Sequence, residues 1–140
     1  MKSLVAVDGS PYTKKMLAYL VTHDSLFTAS HDYNLLTVQM PFPARIKVAV
    51  GGEITHQYHA QEAEKILAPC FKFLVRHGLN ATTHWKLGHP GVTVSKIAEA
   101  GEYDMVIMGS HGHGALVNLV TGSVATQVLA QCKVPVLLIR

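Results

Sequence analysis

Short strand-like runs separated by stretches of helical periodicity constrain this chain more than any other feature. Lys2–Val7, Tyr33–Val38, Thr82–Leu87, Asp104–Met108 and Pro135–Ile139 read as five strands. Tyr103–Met108, apart from Asp104, and Val134–Ile139 are apolar on consecutive positions, as strands buried on both faces of a parallel sheet must be. Alternation of strands with helices implies parallel pairing through right-handed crossovers, with helices on both faces. At 140 residues the chain suits one α/β domain spanning 1–140, long enough to bury roughly two-thirds of its unfolded surface. No internal repeat or low-complexity segment interrupts this order.

The helices announce themselves by caps and faces. Ser10 fits an N-cap with Pro11 at the first helical position, where a missing N–H costs nothing. Met16, Leu17, Leu20 and Val21 then form one apolar face. Met40-Pro41-Phe42-Pro43 cannot continue a central strand, so a loop is expected from there through Gly51-Gly52. Ala63, Ile66, Leu67, Cys70, Phe71 and Leu74 follow helical spacing, closed by the stop signal His77-Gly78. Pro69 falls inside this pattern, and an interior proline costs about 3 kcal/mol or more, so a kink near Lys65–Pro69 is expected rather than two helices. A third helix spans Pro90–Ala100, and a fourth starts near Gly122-Ser123.

The chemistry concentrates between the fourth strand and that fourth helix. Gly109-Ser110-His111-Gly112 is followed, after nine intervening residues, by Gly122-Ser123. Glycines there let backbone N–H groups approach a ligand, and a helix start adds orphan donors and partial positive charge. This is the chemistry of an anion site, most often a phosphate site. A Walker loop is excluded because Ala115-Leu116 stand where it needs Lys-Ser or Lys-Thr; the glycine order also departs from the dinucleotide fingerprint. The spacing G-x2-G-x9-G-S resembles the nucleotide-binding motif of the universal stress protein family. Val5-Ala6-Val7-Asp8-Gly9-Ser10 and Val134-Pro135-Val136-Leu137-Leu138-Ile139 also resemble that family's first and last strands.

The resemblance implies a doubly wound, five-stranded parallel sheet of order 3-2-1-4-5, of the adenine nucleotide alpha hydrolase-like type. In such sheets ligands bind beyond the carboxyl ends of strands, where strand order reverses. It further implies binding of ATP or AMP through Asp8, Val38, Gly109, Gly112, Gly122, Ser123 and Val124. Asp8 would accept a hydrogen bond from the nucleoside, and main-chain groups at Val38 would meet the adenine edge. The amides of Gly112, Gly122, Ser123 and Val124 would hold phosphates, with Mg2+ or Mn2+ carried on those phosphates. A stress-response role as a homodimeric sensor or regulator with an unidentified protein partner follows from the same likeness. Each feature also has a plainer reading: Asp8-Gly9-Ser10-Pro11 is a good capping turn, and Ser123 can simply cap a helix.

The last strand carries an inference of its own. Val134–Ile139 would lie at the sheet edge, where a flat apolar strand invites aggregation unless covered. The same strand of a second copy, paired antiparallel about a two-fold axis, is the simplest cover, and the family resemblance implies the same homodimer.

Other functional classes fare worse. The net charge of +3 is modest, and its basic residues form neither a stripe nor an aromatic-interleaved patch for nucleic acid. No apolar run approaches the ~20 residues that span a bilayer, and Met1-Lys2 precedes too short an apolar run for a secretory signal. Cys70 and Cys132 lack metal or redox spacing, and reduced thiols in the cytoplasm are the plain reading. His111 and His113 sit in the glycine loop without an identifiable third metal ligand; His56 and His59 are expected at the surface. No catalytic triad or phosphate-loop lysine is present, so the alternatives are slow nucleotide hydrolysis or a nucleotide-free interaction dimer. A flavin carrier lacks the flanking aromatics, since Trp85 belongs to strand three.

Overall fold

A computed structural model describes residues 1–112 and 121–140. In chain order it contains β1 (Lys2–Ala6), α1 (Pro11–Thr22), β2 (Asp32–Gln39), α2 (Ala44–Val50) and α3 (Gly52–Arg76). Then follow β3 (Asn80–Leu87), α4 (Pro90–Ala100), β4 (Met105–Gly109), α5 (Ser123–Gln131) and β5 (Val136–Ile139). All pairings are parallel, and the sheet runs β3-β2-β1-β4-β5. The order inferred from the family resemblance is the order found.

Consecutive apolar residues in the central strands serve two cores because side chains alternate across a sheet. Val5, Leu35 and Ile107 face Met16, Leu20, Leu67 and Leu74 of α1 and α3. Their neighbours Leu4, Leu36 and Val106 face Val94, Ala98, Ala125 and Val128 of α4 and α5. Each such fully buried aliphatic side chain contributes about 1.5–3 kcal/mol. The α4–α5 approach is close at Gly91, where an added Cβ would lie 2.8 Å from Gln127 Cβ.

Four local expectations change. The loop from Met40 contains a helix, α2, none of whose residues is buried. Its basic and apolar residues alternate (Arg45, Ile46, Lys47, Val48), a period-two pattern that hides a helix. Ser10 occupies the N-cap of α1, but its buried hydroxyl makes no capping bond. Asp8 Oδ1 instead accepts from the Ser10 N–H at 2.9 Å.

The buried stripe of α3, which is one continuous helix containing Pro69, is Thr55, His59, Ala63, Leu67, Cys70 and Leu74. His59 is therefore only 3% exposed rather than at the surface, with the Phe42 ring 4.7 Å from its own. Phe71, expected on the apolar face, lies on the shoulder of that stripe and is 37% exposed. The helix ends where expected, before Gly78 at φ +81°.

Candidate functional site

β1 lies between β2 and β4, so the chain leaves it in opposite lateral directions and opens a crevice beyond its carboxyl end. This crevice has a volume of about 570 Å³. Asp8, Val38, Gly109, Gly112, Gly122, Ser123 and Val124, separated by up to 116 positions of sequence, all line it. His111 lines it as well, whereas His113 and Gly114 lie outside the described residues.

The β1 side is built around the Asp8 carboxylate. Its Oδ1 accepts from the Thr13 hydroxyl at 2.9 Å in addition to the Ser10 N–H, and the Asp8 N–H donates to Thr13 Oγ1 at 3.1 Å. Gly9 makes the intervening turn at φ +77°, in the left-handed region that favours glycine. Thr13, buried at the start of α1, thus fixes one carboxylate oxygen. Sequence reading passed over Thr13, although a hydroxyl five residues after the acid was a usable signal. The other oxygen faces the glycine loop, where a Cβ on Gly112 would collide with Asp8 Oδ2.

The β4 side is backbone held at close quarters. Ser110 is buried; its N–H donates to Ile139 O at 2.9 Å, and its carbonyl accepts from the Gly122 N–H at 2.6 Å. This bond sets the residue before α5 against the residue that follows β4. A Cβ on Gly122 would stand 3.1 Å from His111 Cα and 3.3 Å from Ser110 O. Gly122 therefore supplies clearance, and its amide, expected to serve a phosphate, is engaged within the protein.

α5 then starts with no side-chain cap, which leaves Ser123 as the first helical residue rather than a capping side chain. The first intrahelical bond runs from Thr126 N–H to Gly122 O at 2.9 Å. The amides of Ser123, Val124 and Ala125 precede it and have no intrahelical acceptor, so the positive end of α5 opens on the crevice.

The remaining wall is aliphatic. Leu36, Val38, Met40, Pro90 and Val94 line it, from the end of β2 and the first turns of α4. Asp8 is the carboxylate among the described lining residues, and no cluster of three or more metal-ligating side chains occurs among the described residues. Beneath the crevice, Cys70 is a free thiol pushed up to about 11 by burial and then by the Asp8 charge. Trp85 is in β3 and not in the crevice lining.

A doubly wound parallel sheet with a glycine-lined crevice, a helix start and a strand-terminal aspartate defines a nucleotide-binding-like α/β fold with one candidate ligand crevice. The Universal stress protein family model matches residues 1–140, and the chain belongs to that family. Universal stress protein Slr1230 of Synechocystis is 28% identical over 139 residues, which cover 99% of this chain and 42% of that protein. The chain spans less than half the length of that relative, and 44% of three mycobacterial ones.

Among solved structures, hypothetical protein MJ0577 superposes with a TM-score of 0.79 at 27% identity, covering 99% of this chain and 94% of that one. A universal stress protein family protein of Arabidopsis thaliana, solved with AMP bound, superposes with a TM-score of 0.72 at 18% identity, covering 99% and 90%.

Proposed function

We propose that the crevice binds an adenine nucleotide, ATP or AMP, and that the protein works as a homodimeric stress sensor or regulator. The observation that carries this reading is the convergence of Asp8, the glycine loop and the uncapped start of α5 on one crevice. Orphan amides and a helix dipole favour a phosphate group, and the aliphatic wall favours the flat face of a base. Solved relatives of this fold with bound AMP, cAMP and dAMP support the choice of nucleotide.

In this reading the Asp8 carboxylate meets the nucleoside, and main-chain groups at Val38 meet the adenine edge. The amides of Gly112, Ser123 and Val124 receive phosphate oxygens, while Gly109 and Gly122 keep the approach clear. Mg2+ or Mn2+ travels on the phosphates. Binding is coupled to a regulatory protein partner in the cytoplasm rather than to rapid turnover.

The dimer rests on the outer position of β5, whose Val136, Leu137 and Leu138 are only partly buried. An antiparallel pairing with a second β5 satisfies that edge. Light scattering at micromolar concentration is expected to give twice the chain mass; a monomer removes the dimer. Mass spectrometry of small molecules released on denaturing freshly purified protein tests the ligand. Adenine nucleotides are expected; an exclusively flavin content contradicts the reading.

A further inference from the structure

A second cavity, of about 430 Å³, lies outside the crevice at the junction of β3 and α4. Its lining combines Lys86, His89 and Lys96 with the aliphatic side chains of Leu87, Val92 and Ile97, and contains no carboxylate. Neither lysine has a carboxylate within salt-bridge distance among the described residues, where the ion pair found is Lys65–Glu62. The charge of Lys86 is felt locally: burial first, and then this charge, hold His84 below its ordinary range. Leu87 is 46% exposed, an aliphatic surface left in water beside these cations. The two cavities share no residue, because α4 presents Pro90 and Val94 to the crevice and Val92, Lys96 and Ile97 to this one.

We propose that this cavity is a second ligand site, taking a small amphipathic anion: a carboxylate carried on an aliphatic body. The lysines select the charge, and burial of Leu87, Val92 and Ile97 by the aliphatic body adds the apolar contribution. Inorganic anions satisfy only the first requirement and neutral alcohols only the second. A nucleotide, with its polar sugar, suits the crevice instead.

The test is an amide chemical-shift titration of the whole chain with sodium octanoate, with 1-octanol as the neutral control. Saturable shifts are expected at Leu87, Gly88, Val92 and Thr93, with octanol binding more weakly. The double variant Lys86→Glu/Lys96→Glu changes exposed side chains only, and its circular dichroism should match the parent. It is expected to weaken octanoate roughly 10-fold, as loss of two screened charge contacts implies. Shifts confined to Asp8 and Gly112, equal binding of octanol, absence of saturation, or unchanged affinity in the double variant each overturn the proposal. The outcome is independent of nucleotide binding, because octanoate is titrated into nucleotide-free protein.

Discussion

The two walls of the crevice are built on opposite principles. One is built on glycines: Gly122 brings main chain against main chain, Gly112 clears the Asp8 carboxylate, Gly109 clears Tyr12, and α5 begins there without a side-chain cap. The other is side chain: Leu36, Val38, Met40, Pro90 and Val94 supply aliphatic surface. The first works by leaving atoms out, so an added Cβ meets backbone at Gly122, the Asp8 carboxylate at Gly112 and Tyr12 Cβ at Gly109. The second works by filling space, and Leu36 and Val94 also belong to the core behind it. A backbone wall is intolerant and specific, whereas an aliphatic wall is forgiving.

Substitutions should expose that asymmetry in graded order. Gly122→Val places side-chain atoms against His111 Cα and Ser110 O, both backbone. It is expected to weaken ATP by at least ~100-fold, about 2.7 kcal/mol, with the dimer mass unchanged. Normal ATP affinity in that variant breaks the phosphate assignment of this wall.

Asp8→Ala removes a charged acceptor, and about 10-fold weaker binding is expected from calorimetry. Thr13→Val keeps the carboxylate but removes the hydroxyl that fixes Oδ1, so a loss of about 3-fold is expected. Val38→Ala, on the forgiving wall, should cost no more than about 2-fold, because the main-chain groups remain. A larger loss at Val38 than at Asp8 would invert the comparison.

The smallest effect links the crevice to the core beneath it. The Cys70 thiol is pushed up from its ordinary 9.0 to about 11 by burial and then by the Asp8 charge. A raised folded-state value means that the native state holds the proton more tightly than the unfolded chain does. That contribution is complete below pH 9 and is lost as pH rises towards about 11. Alkaline denaturation of Asp8→Asn should therefore show a shallower loss of stability over this interval than the parent. An identical pH profile removes the Asp8–Cys70 coupling.

The same asymmetry decides what the sequence reveals. Backbone walls need glycine at fixed spacing, so Gly109, Gly112 and Gly122 are visible as a motif, and the strand–helix alternation exposes the sheet. Aliphatic walls use residues indistinguishable from core, so Met40, Pro90 and Val94 carry no signature. Helix α2 hides behind a strand-like alternation, and the burial of His59 depends on Phe42 folding back over α3. The role of Gly122 is also invisible from spacing alone. Only the 2.6 Å bond from its N–H to Ser110 O separates a glycine that donates to a ligand from one that makes room for it.

Isothermal titration of the nucleotide-free protein with ATP and with AMP tests the central claim most directly. The account predicts saturable binding of at least one of them, at one site per chain, weakened at least ~100-fold by Gly122→Val. An absence of heat and of competition up to millimolar nucleotide, in protein shown to be folded and free of prior ligand, would contradict it.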